Sequence, residues 1–429
     1  MTKKKRCKGG LPVLPELLAP AGNLEKLVTA VHYGADAVYL AGKSLSLRAA
    51  AGNFSEEEMA QGITFAHTHG CKVYVAVNVL AHNDDMKGLE EYLQTLSAHE
   101  IDGLIVADPG ILAIAAKTTP HIPIHLSTQA NVTNSAAARF WFDQGISRIN
   151  LARELCHEEI VAIRDRTSGE IEVFVHGALC ISYSGRCMLS NYLTARDANR
   201  GDCSHPCRYS YQLVEEKRPG QFFAVEEDSR GTYIFNSKDL CLLPRLPQLL
   251  AAGVDSLKIE GRMKSIFYVG GVVRIYRAAL DYLAGLPLAA WKDPETIILP
   301  AQLLEEVRKI GTRATTENFF LGKPTAEDML YETSRAEQTV EPVAVIRDGG
   351  PTPLVEIRNR LRVGELIEYM GRGMVLQPVV VEAMYSEKKE HHPVANPGNR
   401  VYLHTRPELK DCEVHGILRR RRNPTEPVS

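Results

Sequence analysis

The sequence predicts an α/β fold: a TIM-type (β/α)8 barrel with one long insertion after its seventh strand, followed by a small β-barrel domain. Three observations carry this. Eight short apolar runs recur along the first two thirds of the chain. Segments with helical spacing separate most of them. Beyond Val340 the pattern changes to short strands divided by turn residues. With 429 residues the chain is long enough for one large domain and a smaller one.

The strands are predicted at 16–19, 37–40, 73–78, 103–107, 124–127, 149–152, 172–176 and 256–260. Near-continuous apolar runs of this length suit parallel strands covered on both faces. Helical spacing is read over 24–33, 55–69, 86–98 and 135–144, and again over 265–284. Alternating β and α segments imply parallel strands with helical crossovers; the count of eight favours a closed barrel over a doubly wound open sheet. The regularity breaks once, at an insertion over 177–255. In a barrel that loop emerges at the C-terminal face, where active sites of this fold are built. Residues 15–290 are assigned to the barrel and 291–339 to a Pro-rich, helical connection. Residues 340–418 are assigned to the small β-barrel, with basic tails at 1–14 and 419–429. The last tail, ILRRRRNPTEPVS, is expected to fray.

Composition is that of an ordinary soluble protein, with 45% hydrophobic and 24% charged residues and a net charge of −2. Any nucleic-acid contact must therefore come from local basic patches. The basic start MTKKKRCKGG is followed by no apolar signal core, and no run of apolar residues is long enough to cross a membrane. A cytoplasmic setting without membrane contact is the expectation. Oligomeric state is not legible.

Nine cysteines are present, and four of them, Cys180, Cys187, Cys203 and Cys207, crowd into the insertion. In a reducing compartment, clustered cysteines are more often metal ligands or redox groups than crosslinks. Six residues separate Cys180 from Cys187 and three separate Cys203 from Cys207. Two close pairs on one loop can converge on an iron–sulfur cluster. A structural zinc site prefers the spacing of the second pair but not of the first. Spacing alone leaves both readings open, and four structural thiols remain the bland one. Cys241 reads as a buried core residue.

The segment EVFVHGALCISYSGRCMLS resembles the signature of the collagenase-like peptidases, a family of unknown catalytic type. The matching residues are Glu172, Phe174, Gly177, Ala178, Cys180, Gly185, Cys187 and Ser190. The opening ELLAPAGNLEKLVTAVHYGADAVYLAG and the later SLKIEGRMKS are similar to further blocks of that family, so the resemblance covers roughly 15–290. Length and the added β-domain look most like the branch of prephenate-dependent tRNA uridine 5-hydroxylases. That resemblance implies a [4Fe–4S] cluster on the four cysteines, prephenate as co-substrate and the wobble uridine of a tRNA anticodon loop as target. Related branches hydroxylate a ribosomal RNA cytidine or serve ubiquinone hydroxylation.

Chemistry is expected where polar residues end the barrel strands. Asn78, Gln129, His176 and Glu260 are the catalytic candidates. Arg48, Arg153, Arg262 and Lys264 are the substrate-binding candidates, because a guanidinium fork or an ammonium suits a dicarboxylate or a phosphate. Arg186, Arg208 and Tyr209, among other Arg and Tyr residues of the insertion, are the RNA-binding candidates: Arg holds phosphate and an aromatic face stacks on an unpaired base. The bland reading of each is a salt bridge or a buried hydrogen bond. For the run Arg419–Arg422 it is a solvated end. Proteolysis finds weak support. His157 opens HEEIV, with Val161 where a zinc-protease motif needs a second His, and no G-x-S-x-G elbow occurs. A non-catalytic RNA-binding scaffold is the remaining alternative.

Overall fold

The computed structural model describes residues 11–42, 53–179, 238–311, 314–322 and 338–422, with short stretches at 7–8, 189–194, 196, 204, 213–214, 222–223, 226–228, 231–233, 236–237 and 329–330. The large domain is a closed barrel of eight parallel strands: β1 (Glu16–Pro20), β2 (Ala37–Leu40), β3 (Lys72–Val77), β4 (Gly103–Val106), β5 (Ile124–Leu126), β6 (Arg148–Asn150), β7 (Glu170–Gly177) and β8 (Ser256–Ile259). Each strand pairs with the next, and β8 pairs in parallel with both β7 and β1, which closes the ring. All eight predicted strands are present.

Two-residue alternation explains why these runs look uniformly apolar. Leu17, Val38, Val73, Val75, Leu104, Ile149, Ile171 and Leu257 face outward and join the core shared with the helices. Leu18, Ala37, Tyr39, Tyr74, Ala76 and Ile105 form a separate cluster inside the barrel. The surrounding helices are α1 (Leu24–His32), α2 (Glu56–Thr68), α3 (Leu89–Ala98), α4 (Pro109–Thr118), α5 (Ser135–Asp143), α6 (His157–Asp165), α7 (Leu246–Ala252) and α8 (Ile266–Ala284). Their starts are set by side chains that satisfy free backbone N–H groups: Asn23 caps α1, Ser55 and Glu58 form a reciprocal pair at α2, Asp108 precedes Pro109 at α4, and Ser265 caps α8. Helix α8 is apolar nearly all round because α1 and α9 (Ala301–Ile310) both pack against it.

Two assignments need correction. The long insertion ends earlier than 255: a short strand at Asp239–Cys241 runs antiparallel to β7, and α7 follows it as an ordinary barrel helix. The connection over 291–339 is not purely helical, since Thr315–Thr316 pairs in parallel with Asp239–Leu240 and extends the barrel sheet.

The second domain is a closed antiparallel barrel of β9 (Val340–Asp348), β10 (Leu354–Ile357), β11 (Leu366–Met370), β12 (Leu376–Ser386), β13 (Arg400–Arg406) and β14 (Ile417–Arg421), in the order β9-β10-β13-β12-β11-β14. Strand β14 overturns the frayed-tail expectation for Arg419–Arg421. It lies between β9 and β11, and Arg419 is fully buried, with Nη1 donating to Glu306 at 2.7 Å and Nε to Glu368 at 2.9 Å. Arg420 meets Glu341 and Glu365, so neighbouring carboxylates absorb the run of charge. The domains dock through Tyr33, whose hydroxyl donates to the Met370 carbonyl at 2.7 Å and accepts from the Ile417 N–H at 3.0 Å. Arg347 and Arg358 both reach Glu25 on α1.

Candidate active site at the barrel mouth

Below the mouth, the barrel interior holds charge. Glu172 on β7 is 2% exposed and accepts from Lys258 Nζ at 2.9 Å and Ser256 Oγ at 3.1 Å. Arg148 Nη1 lies 3.5 Å from Glu172 and 2.6 Å from Glu16, and its Nη2 lies 2.8 Å from Glu170. Burial opposes the charge on Glu172, but Lys258 and Arg148 outweigh it and hold the carboxyl below the usual range. The Lys258 ammonium also sits 4.6 Å from the centroid of the Tyr39 ring. None of these interior residues except Glu172, quoted as part of the motif, stood out in the sequence. An inward charge in an apolar strand carries no local signal of its partner across the barrel.

At the C-terminal ends of the strands the predicted polar residues fall into two groups. Asn78, after β3, donates through Nδ2 to Gln129 Oε1 at 3.1 Å and lies 3.5 Å from Ser127 Oγ. Arg153, after β6, donates to the Ala178 carbonyl at 2.8 Å and lies 3.8 Å from Glu260. Its guanidinium lies 3.8 Å from the centroid of the Phe174 ring. Arg153 and Glu260 thus stand beside the exit of β7, where the cysteine-bearing segment begins.

His176 and Arg262, at the ends of β7 and β8, are buried, and Lys264 is half-buried. His176 is 2% exposed, its ring lies near those of Tyr268 and Tyr276 of α8, and its Nδ1 is 3.3 Å from the Tyr276 hydroxyl. Burial pushes His176 down to about 4, with Asp239 and Lys264 acting in opposite directions, so the ring is neutral. Arg262 is 3% exposed and donates to Asn53 Oδ1, while its carbonyl accepts from Lys26. Lys264 pairs with buried Asp239 at 3.4 Å. These three tie β8 and α8 to the rest of the barrel.

Cys180, Cys187, Cys203, Cys207, Arg48, Arg186, Arg208 and Tyr209 lie outside the described residues. Their flanks are described in part. Gly177 has φ +109, and a Cβ there would stand 2.4 Å from the Glu260 carbonyl oxygen, so only glycine lets β7 turn into the cysteine segment beside β8. Ser190, three residues beyond Cys187 and fully buried, has its Oγ 2.9 Å from that of Ser204, the neighbour of Cys203, and accepts from the Ser204 N–H at 3.0 Å. Thr194 Oγ1 adds a third hydroxyl at 2.7 Å from Ser204. Ser190 and Ser204, close in sequence to Cys187 and Cys203, are thereby held together. Four thiols are a donor set whose chemistry suits an iron–sulfur cluster.

Among the described residues no group of three or more His, Cys, Asp or Glu is arranged to hold a metal ion. Burial pushes the thiols of Cys71 and Cys412 up to about 12 and that of Cys241 up to about 11, so none of these is an activated nucleophile. No helix among the described residues is long and apolar enough to cross a membrane.

The model of peptidase family U32 matches residues 22–330, and that of the peptidase family U32 C-terminal domain matches 338–419. The chain is 41% identical to tRNA hydroxylation protein P1 of Bacillus subtilis over 87% of each chain. It is 36% identical to tRNA hydroxylation protein P of Escherichia coli, over 94% of this chain and 96% of that one. A 39% identity to the 23S rRNA 5-hydroxycytidine C2501 synthase of Escherichia coli spans 62% of this chain and 39% of that one. With both domains matched in order, the chain belongs to peptidase family U32.

Proposed function

We propose that the protein is an RNA hydroxylase that converts the wobble uridine of tRNA to 5-hydroxyuridine, with prephenate as the source of the hydroxyl group. The observation that carries this reading is the exit of β7, which turns at Gly177 against Glu260 and beside Arg153, at the C-terminal end of the barrel strands, immediately before the segment of sequence that holds the four cysteines. Two full-length relatives named as tRNA hydroxylation proteins and one named as an rRNA hydroxycytidine synthase support RNA pyrimidines as the substrate class.

A [4Fe–4S] cluster on Cys180, Cys187, Cys203 and Cys207, when bound, supplies one-electron redox chemistry. The chain's own groups do the rest. Arg153 and Glu260 stand at the opening as a matched charge pair that can exchange partners with an anionic co-substrate. Asn78 and Gln129 offer neutral donors and acceptors. A uridine reaches such an enclosed site only when unstacked, and an anticodon loop presents one at low cost. Replacing C5–H by C5–OH withdraws two electrons and a proton from the base, so besides the hydroxyl donor the reaction needs an electron acceptor able to take two electrons, passed singly through a one-electron redox group, which hydrolysis does not need.

The test is nucleoside mass spectrometry of tRNA from a strain lacking the gene. The wild-type gene should restore 5-hydroxyuridine. Unmodified tRNA, together with cleavage of a peptide substrate by the purified protein, would support the peptidase reading instead.

A further inference from the structure

We propose that the side-chain amide of Asn150, inside the barrel, pairs with the Watson–Crick edge of the pyrimidine that the enzyme modifies. This rests on the hydroxylase reading and adds a base-reading residue to it.

Asn150 is the last residue of β6. Arg148, two residues earlier, reaches Glu16 and Glu172 inside the barrel, whereas Ile149 and Leu151 join the outer core. The two-residue period therefore aims Asn150 into the lumen, on the mouth side of the charged network. It is 2% exposed, and neither Oδ1 nor Nδ2 has a hydrogen-bond partner. Buried amides are ordinarily satisfied, because leaving both ends unpaired is costly. Two further buried atoms are unpartnered: Nδ1 of His125, on the adjacent strand β5 and in register with Arg148, and Oδ1 of Asn78, after β3 and three strands away around the barrel. His125 is itself 5% exposed.

The charges indicate what kind of molecule fits. Each lumen cation described above already has a carboxylate: Lys258 with Glu172, Arg148 with Glu16 and Glu170, Arg153 with Glu260. A phosphate or a dicarboxylate would meet no surplus positive charge beside Asn150. A neutral, planar ligand with a donor next to an acceptor meets the amide in full. On uracil, N3–H donates to Oδ1 and O4 accepts from Nδ2. Cytosine presents the reverse order, which the amide accepts when turned over.

The experiment uses the full chain, purified without oxygen, and an anticodon stem-loop carrying either uridine or 3-methyluridine at the target position. Fluorescence anisotropy reads binding. Wild-type protein should prefer the uridine hairpin by roughly tenfold, as expected for a lost bidentate base contact. Asn150→Ala should weaken uridine binding by a similar factor and nearly abolish the preference, because its vacated volume admits the methyl group. Asn150→Leu should also lose the preference while keeping the wild-type unfolding temperature, since no internal partner is removed. Wild-type indifference to the methyl group, equal weakening of both hairpins by Asn150→Ala, or unfolding of Asn150→Leu would each overturn the assignment. Failure of the hydroxylase reading is seen separately: wild-type protein would then leave tRNA without 5-hydroxyuridine whatever the hairpins show.

Discussion

Arg153 and Glu260 stand beside the exit of β7, and each matters more for its position than for its pairing. Removing the guanidinium in Arg153→Met breaks a long 3.8 Å contact to Glu260 and a bond to the Ala178 carbonyl. The fold should survive this, while 5-hydroxyuridine formation should drop roughly tenfold or more, as when a charge-assisted substrate contact is lost; mass spectrometry of cellular tRNA reads it. Glu172 is the opposite case. Glu172→Gln leaves buried Lys258 and Arg148 with one carboxylate fewer, and breaking a buried pair costs about 3 kcal/mol or more, to be seen as a lower urea midpoint. At this scale the sequence told only part of the story. Asn78, Gln129, Arg153 and Glu260 were legible because they end predicted strands. Lys258, Arg148 and Asn150 were not, because an inward residue in a four-residue apolar strand is identified only by what stands across the barrel. His176 and Arg262 stand at the strand ends where they were read, but their burial was not legible, because periodicity marks the end of a strand and not what packs over it.

The elements that matter most are β7 and the segment that leaves it. β7 turns at Gly177, against the carbonyl and Cβ of Glu260 on the far side of the closing seam. Gly177→Ala forces either the turn or Glu260 to move. The expected result is a folded protein with reduced iron content and reduced 5-hydroxyuridine, measured by metal analysis and mass spectrometry on the same preparation. All eight strands could be read from sequence because both faces of each are buried, which leaves continuous apolar runs. Strand β14 could not. Its ILRRR sequence looks like a solvated end, yet Arg419 lies inward against Glu306 and Glu368, residues distant in sequence. The short strand at Asp239–Cys241 was hidden in the same way, since its partner Thr315–Thr316 lies beyond three helices and β8.

The whole molecule is two barrels joined by buried polar contacts, and this gives it a definite response to acid. His32, at the junction of the domains, is pushed down to about 3 by burial and then by the charges of Arg372, His415 and His69, despite Glu413 at 3.7 Å. His176 is held at about 4, chiefly by burial. Unfolded histidine titrates near a pKa of roughly 6.5. Below that value the unfolded chain binds more protons than the folded one, so stability falls as the pH drops from about 6.5 toward 4. The urea midpoint should therefore decline across that window, and His32→Phe should make the decline shallower. A flat profile would mean that both rings are protonated in the fold.

The claim on which the functional account turns is that the four cysteines hold an iron–sulfur cluster needed for RNA hydroxylation. The direct test measures iron and sulfide in protein purified without oxygen, and 5-hydroxyuridine in tRNA from the same cells, for wild type and for Cys203→Ala. Iron and sulfide in matching amounts in the wild type, lost together with 5-hydroxyuridine in the variant, is the expected result. A colourless wild-type protein containing zinc, or a variant that still modifies tRNA, would contradict it.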